Sequence, residues 1–266
     1  MAARLKYHQP ILDLLGIEPV LPLDRVAAIE ERERVCGTRF PASVREWFAV
    51  QAAEALFHDN TNEDRLEKLE ELGDPAETRQ GYLRVATENQ AVVAWYVRLA
   101  EGDDPPVYHN NDEWNEDLSK TNWQAQSATF TNFIFDSISS HRFGGWSSGM
   151  HLSAQDSLPD AATLDRLRVW FQQGPTTDAP GSKLYRFFTT QGVIVIRSVE
   201  RDLANGTAEW SIEADSPEAL LDFGRKVWDV GTLAQTLKAK SSTPWSRAEG
   251  EKLLQRLRAE NAAARR

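Results

Sequence analysis

The spacing of apolar residues changes from a helical to a strand-like period in each half of the chain, and this change constrains the fold more than any other feature. In the first half, segments with helical spacing precede GYLRVAT and AVVAWYVRLA, which have strand-like patterns. The second half has the same organisation without repeating the sequence. It begins with a helical segment and continues with three strand-like segments, KLYRFFTT, VIVIRSVE and TAEWSIEA. Helices and strands grouped in this way predict an α+β fold.

The first half contains signals for where helices begin and end. Asp24 can cap a helix that Gly37 ends, because aspartate accepts hydrogen bonds from free N–H groups and glycine tolerates the left-handed conformation. Pro41 suits the first turn of a second helix. Residues 62–74, NEDRLEKLEELGD, predict a third, strongly acidic helix. The apolar side of this third helix consists of Leu66, Leu69 and Leu72.

Later segments complete the predicted elements of both halves. DPPVYHN predicts a third strand, and SATFTNFIFDSIS predicts a closing helix that Ser127 or Thr129 would cap. In the second half, Pro217 suits the first turn of another helix, and a polar helix ends the chain.

The segment HRFGGWSSGMHLSAQDS, residues 141–157, is rich in Gly and Ser and lacks an apolar period. We therefore expect a linker or long loop there. The predicted organisation is a first domain at residues 1–145, a linker at 146–157 and a second α+β domain at 158–266.

The net charge of −10 is concentrated in the first part of the chain. Residues 1–150 contain 14 Lys and Arg against 25 Asp and Glu, whereas residues 151–266 contain 16 against 15. An acidic surface repels nucleic acid and attracts basic proteins. The charge therefore predicts a basic protein partner and no nucleic acid.

The single cysteine and the absence of long apolar runs indicate a compartment. Cys36 cannot form an intrachain disulfide, and the short apolar run near the start is interrupted by Asp13. No run of about 18 apolar residues occurs, so no membrane span is predicted. We expect a cytoplasmic protein that does not bind a membrane.

The sequence lacks the common motifs of catalysis and cofactor binding. None of the five histidines forms an H-x-x-x-H pair, and neither a phosphate-binding glycine loop nor a G-x-S-x-G motif occurs. Cys36 next to Gly37 has no evident catalytic partner, which favours a structural thiol. We predict no metal and no cofactor. One alternative stays open, a hydrolase with a carboxylate–histidine site near His109.

Two acidic segments with aromatic residues nearby are the best candidates for a binding surface. Residues 59–77 contain eight acids, and residues 101–117 contain seven acids and neither Lys nor Arg. Aromatic side chains inside a charged rim are typical of protein interfaces, although the same rings also suit core packing. The predicted partner-binding residues are Asp59, Asp103, Asp104, Tyr108, His109, Asp112, Glu113 and Trp114.

A series of motifs extends over residues 20 to 140. The helix ending in Gly37 is followed by Phe40-Pro41, which open a helix with Arg45, Trp47 and Phe48. A strand pair ending in WYVRL comes next, followed by the Pro106-Val107-Tyr108 strand and a closing helix opened by Ser127 and Phe130. In the order and spacing of these motifs, the segment resembles the SUKH superfamily, also called the Smi/Knr cell-wall assembly regulator family.

The resemblance implies an α+β fold, with helices and an antiparallel sheet, that has no enzymatic activity. Bacterial members of the family are often immunity proteins that bind and neutralise a toxin, frequently a nuclease, and fungal members are regulatory scaffolds. The expectation is therefore a non-enzymatic protein-binding domain, most simply an immunity protein. A regulatory scaffold and the hydrolase near His109 are the alternatives.

Overall fold

The computed structural model describes residues 4–110, 117–143, 150–179, 182–230, 232–241 and 244–264. The chain divides into two compact units. The first consists of Met1–Leu12 and Ile17–Ile138, and the second of Asp13–Gly16 and Ser139–Arg266. Each unit combines helices with an antiparallel sheet, so the predicted α+β class is confirmed.

The described elements up to residue 143 are four helices, then short strands with one short helix among them, and then a closing helix. In chain order they are α1 (Gln9–Leu15), α2 (Leu23–Cys36), α3 (Ala42–Ala49), α4 (Ala53–Asp59), β1 (Arg65–Leu66), α5 (Pro75–Arg79), β2 (Tyr82–Thr87), β3 (Ala94–Arg98), β4 (Val107–Asn110), a 3-10 turn (Leu118–Lys120), β5 (Gln124–Ser127) and α6 (Phe130–Phe143). The five strands form one sheet in the order β1-β2-β3-β4-β5, and each pair is antiparallel.

Helix α2 ends where the sequence predicted and begins slightly earlier. Gly37 follows the helix at φ 66°, and its N–H donates to Arg34 O. Asp24 is not the cap that we predicted. Pro22 precedes the helix, Asp24 lies in the first turn, and no side chain caps the helix start. A carboxylate in the first turn still interacts favourably with the helix dipole.

The predicted third helix at residues 62–74 is wrong. The segment contains β1, which pairs with β2, and the Glu67 N–H donates to Val85 O at 3.0 Å. The leucines at helical spacing are nevertheless buried, because an irregular segment lying against the sheet can bury them as well as a helix can. These leucines are Leu66, Leu69 and Leu72. Helix α4 was not predicted from the sequence.

The N-terminal segment is held in place by one carboxylate. Glu46 on α3 accepts hydrogen bonds from the backbone N–H groups of Lys6, Tyr7 and His8, each at 2.8 Å. This contact places the His8 side chain in the core, where its ring lies edge-on to Trp47 at 5.1 Å and to Phe130 at 5.7 Å. The first unit therefore contains a buried histidine between aromatic rings.

Burial favours the neutral form of His8 in the folded chain. Its Nε2 lies 2.9 Å from Ser43 O, and a carbonyl oxygen only accepts, so Nε2 carries the proton. Nδ1 is buried without a hydrogen-bond partner. Burial lowers the pKa of His8 below its ordinary value of 6.5, and the contact with Ser43 opposes this shift only in part.

The stability of the chain should therefore fall as the pH decreases below about 6.5, because the unfolded chain binds a proton at His8 that the folded chain excludes. Above this pH His8 is neutral in both the folded and the unfolded chain, so it adds no pH dependence to the free energy of unfolding. Urea unfolding of wild type and His8→Gln between pH 7 and pH 5 measures the pH dependence that is due to His8. Glutamine is chosen because it keeps a hydrogen-bond donor for Ser43 O. We expect the variant to lose less stability than wild type over this interval.

The difference between the two proteins isolates His8. His151, whose pKa is also lowered by burial, contributes equally to both curves. Parallel curves for wild type and His8→Gln would contradict the prediction.

The second unit is built on a larger sheet. Its elements are β6 (Met150–Ser157), α7 (Ala161–Trp170), β7 (Gln172–Gln173), β8 (Thr177–Ala179), β9 (Ser182–Thr189), β10 (Gly192–Val199), α8 (Glu200–Ala204), β11 (Thr207–Ala214), α9 (Pro217–Val227), α10 (Leu233–Thr236), β12 (Lys238–Ser241) and α11 (Pro244–Ala264). The strand order is β12-β6-β11-β10-β9-β7, and β8 also pairs with β9. Strands β9, β10 and β11 confirm the three predicted strands, and α9 confirms the helix with Pro217 in its first turn.

The predicted linker at 146–157 is wrong for residues 150–157, and residues 144–149 lie outside the described residues. Residues 150–157 form β6, which pairs with β11 on one side and β12 on the other. The sequence did not predict this strand because one of its buried positions, in line with Leu152 and Ala154, is occupied by the polar residue Asp156. Asp156 is satisfied there by hydroxyl and N–H donors from Ser157, Thr232 and Thr236.

Candidate protein-binding site

One side of the first sheet carries tyrosine and arginine residues in register. Arg84 on β2, Tyr96 on β3, Tyr108 on β4 and Ala125 on β5 are paired in one row across the four strands. Tyr82 and Arg98 are paired two residues further along β2 and β3, so they share this side of the sheet. We call Tyr82, Arg84, Tyr96, Arg98 and Tyr108 the tyrosine face.

The opposite side of the same sheet is apolar. Leu83, Val97 and Val107 form the alternate row, and all three are fully buried. The indole ring of Trp95 packs on Phe133 of α6, with their ring centroids 5.5 Å apart. The sheet therefore buries one side against helix α6 and leaves the tyrosine face on the other.

At the exposed corner of the tyrosine face, the side chains of Arg98, Tyr108 and Glu101 all contact one another. The guanidinium carbon of Arg98 lies 4.3 Å from the centre of the Tyr108 ring. Arg98 Nη1 donates to one Glu101 oxygen at 3.2 Å, and the Tyr108 hydroxyl donates to the other at 2.9 Å. The Arg98 and Glu101 side chains remain 36% and 30% exposed, so a partner can reach this corner.

The hydrogen bonds of this corner fix its protonation. Burial and the hydrogen bond to Glu101 raise the pKa of Tyr108, so its hydroxyl stays a donor throughout the neutral range. Arg98 keeps its charge under all ordinary conditions. The corner therefore presents to a partner the charged Arg98 side chain stacked on the Tyr108 ring, and the Glu101 carboxylate is hydrogen-bonded to both.

A more buried network lies beside this corner. The Tyr96 hydroxyl donates to Glu77 Oε1 at 3.1 Å, and Arg84 Nε lies 3.1 Å from Glu67 Oε1 in an ion pair. Burial raises the pKa of both Glu67 and Glu77, and the nearby Arg84 opposes the shift. These contacts join α5 and the segment after β1 to the same side of the sheet, where Tyr96 is buried, so the accessible part of the tyrosine face is the corner with Arg98 and Tyr108.

Trp123 completes the aromatic cluster. Its ring stacks on Tyr82 at 4.9 Å with an interplanar angle of 20° and meets Tyr96 edge-on at 5.0 Å. Its Nε1–H donates to Leu118 O at 3.1 Å. Trp123 therefore packs within the first unit, with both its ring and its N–H in contact with other residues.

The acids predicted to bind a partner have separate local roles. Asp59 ends α4, is exposed, and lies 3.2 Å from His58 Nδ1. Asp103 is exposed in the segment between β3 and β4, where its backbone oxygen accepts from Ser43 N–H at 2.9 Å. Asp104 Oδ1 accepts from Thr131 N–H at 3.0 Å in the first turn of α6. Asp104 thus has a structural role that needs no partner.

Tyr108 and His109 face opposite sides of the sheet because successive strand residues alternate. His109 is paired with Trp95, and its Nε2 lies 3.1 Å from the side-chain oxygen of Gln124. The contact is with an amide and not with a carboxylate. Within the described ranges, no group of three or more His, Cys, Asp or Glu side chains is placed to hold a metal ion. The remaining predicted residues, Asp112, Glu113 and Trp114, lie outside the described residues.

Sequence reasoning missed Tyr82, Arg84, Arg98 and Glu101. A signal was available, because YLR and YVR each place a tyrosine and an arginine two residues apart, on one side of a strand. The signal becomes specific only when the register brings the two pairs together.

Two further features complete the description. Cys36 Sγ lies 2.8 Å from Gly73 O, so the thiol holds the end of α2 to the segment before α5. Among the helices that the structure describes, none has the length and apolar character needed to cross a membrane.

Comparison with known protein families, with curated proteins and with solved structures finds no match to this chain.

Proposed function

We propose that this chain is a non-enzymatic binding protein that recognises a basic protein partner through the tyrosine face, most simply as an immunity protein that neutralises a toxin in the cytoplasm. The observation that carries the proposal is the corner formed by Arg98, Tyr108 and Glu101. The resemblance to the SUKH superfamily supports the immunity role, and the excess of acids in residues 1–150 supports a basic partner.

The corner has the properties of an interface anchor. Tyrosine and arginine are enriched among the residues that dominate binding energy. The stacking on Tyr108 and the two hydrogen bonds of Glu101 already fix both side chains. These two side chains therefore lose little conformational entropy when a partner binds, which favours tight binding.

Charge supports fast association with a basic partner. Oppositely charged proteins are steered together, and ionic strength weakens this steering. We therefore expect the association rate to fall as salt increases, while the dissociation rate depends mainly on contacts such as those of Tyr108. A toxin that binds nucleic acid is basic on the surface it uses, so an acidic binder would cover that surface.

Growth rescue tests the proposal. A toxin domain encoded beside this gene is expressed to arrest growth, alone and together with the chain. We expect wild type to restore growth, and Arg98→Ala and Tyr108→Ala to bind the toxin domain about 30-fold more weakly, which corresponds to about 2 kcal/mol. Binding kinetics of the purified proteins measure the change.

The matched control is Arg201→Ala, which removes an exposed arginine of α8 in the second unit. We expect it to bind as wild type does, and thermal melts report whether each variant is folded. Failure of wild type to restore growth would refute the immunity role. Unchanged affinity of folded Arg98→Ala and Tyr108→Ala would exclude the tyrosine face as the binding surface.

A further inference from the structure

The segment between α1 and α2 exposes an unusual concentration of apolar side chains. Val20, Leu21 and Leu23 are 51%, 36% and 86% exposed. They lie within four consecutive positions of the sequence EPVLPLD, residues 18–24. Contiguous exposed apolar residues of this kind mark sites of interaction in soluble proteins. We call residues 18–24 the proline ridge.

Residues 18–22 of the proline ridge precede helix α2, which begins at Leu23, and their own sequence keeps them extended. Pro19 and Pro22 have φ fixed by their rings, and Glu18 and Leu21 are restricted because each precedes a proline. Pro22 has φ −63° and ψ 138°, which are polyproline II values. The ridge therefore has few other conformations to lose when it binds.

One hydrogen bond holds the ridge against the first unit. Val20 O accepts from the Gln51 N–H at 2.8 Å, at the turn between α3 and α4. The backbone of the ridge is thereby fixed while its apolar side chains remain outside. A surface of this kind is already in its binding conformation.

The ends of the ridge are negatively charged. Glu18 and Asp24 are both exposed. The next residue, Arg25, does not offset them toward solvent, because its Nη2 donates to both Glu54 oxygens at 2.8 and 2.9 Å and its Nε donates to Phe48 O. The ridge thus presents an apolar centre between two acids.

We propose that the proline ridge is a second docking surface, which inserts into an aromatic-lined groove with a basic rim on another protein. Grooves lined by aromatic side chains are the usual receptors for polyproline II segments, because such segments are already ordered. Basic residues at the rim would complement Glu18 and Asp24. A second copy of this chain is a poorer occupant, because its ridge would bring the same acids together.

The test compares three immobilised baits, each checked by a thermal melt. They are the wild-type chain, the double variant Leu21→Ser/Leu23→Ser, and Val92→Ser, which removes an apolar side chain that is 56% exposed in the β2–β3 turn. A lysate of the source cells is passed over each bait, and bound proteins are quantified by mass spectrometry. A synthetic peptide of residues 16–25 serves as the competitor, and the same peptide with alanine at positions 19 and 22 is its control.

We expect at least one basic protein to bind wild type and Val92→Ser, to fall at least tenfold on the double variant, and to be displaced by the peptide but not by its control. Equal binding to all three baits, or no specifically bound protein, would refute the docking surface. Sedimentation showing a wild-type dimer that the double variant abolishes would assign the ridge to self-association instead and would also refute it. The growth rescue tests the tyrosine face, so the two proposals fail independently.

Discussion

Replacing Asp156 with alanine should lower the free energy of unfolding of the second unit by about 3 kcal/mol, because the change removes a buried carboxylate that accepts several hydrogen bonds. Asp156 is 5% exposed on β6. One oxygen accepts from Ser157 N–H and its hydroxyl and from Thr232 N–H and its hydroxyl, and the other accepts from the Thr236 hydroxyl. These bonds join β6 to α10, so their loss should loosen both elements.

Urea unfolding monitored by tryptophan fluorescence measures this loss. Asp156→Asn should lose about half as much stability, because one acceptor oxygen remains. Asp160→Ala is the control for removing a nearby aspartate. Asp160 caps α7 through the Thr163 N–H at 2.8 Å at the surface, so its loss should cost clearly less than the loss of Asp156. A loss at Asp156→Ala no larger than that at Asp160→Ala would show that the buried network contributes little.

Replacing Gly73 with alanine should destabilise the first unit by about 3 kcal/mol, from backbone strain together with overcrowding of the core. Gly73 has φ 78°, a conformation that costs any other residue energy. A Cβ atom there would lie 2.7 Å from Phe40 Cζ and 2.8 Å from Cys36 Sγ. Phe40 is buried, so it cannot simply rotate into solvent.

Gly37→Ala separates the two causes. Gly37 has a similar φ of 66°, but a Cβ atom there meets nothing within 4 Å. This control should therefore lose only the strain energy, about 1 kcal/mol. Equal losses at the two glycines, measured by thermal melts, would mean that Phe40 and Cys36 give way without cost.

The sequence predicted those elements whose signals are local. The hairpin of β2 and β3 follows from two strand patterns with a short turn, and the end of α2 follows from Gly37. In α9, Ser216 caps the first turn and Pro217 follows it, which is a pattern that a single sequence reveals. These elements need no information about distant residues.

The failures arose where tertiary contacts decide. The segment 62–74 has leucines at helical spacing, but pairing of β1 with β2 and the left-handed Glu63 and Gly73 break the helix. Strand β6 was mistaken for a linker because its buried face includes Asp156, which accepts hydrogen bonds from Thr232 and Thr236, far along the chain, as well as from its neighbour Ser157. Neither the pairing of β1 with β2 nor the contact of Asp156 with α10 can be identified from the local sequence.

The candidate site shows the same division. Tyr108 and the acidic segment around it were recognisable as a possible surface, but Arg98, Glu101 and Tyr82 were not. They become neighbours through the register of β2, β3 and β4 and the bend of the chain after β3. The apolar residues Leu83, Val97 and Val107 fix which side of each strand faces the core, but which residues become neighbours across strands depends on pairing that a single sequence does not show.

The division of the chain into units has a consequence for the order of folding during synthesis. Residues 13–16 belong to the second unit although the flanking residues belong to the first. A domain folds as its residues leave the ribosome, so the first unit can complete its core once residue 138 has emerged. Residues 13–16 can reach their final packing only after the rest of the second unit, more than a hundred residues, has been synthesised. Helix α1 contains residues of both units, so its last residues should become ordered only after the second unit has been made.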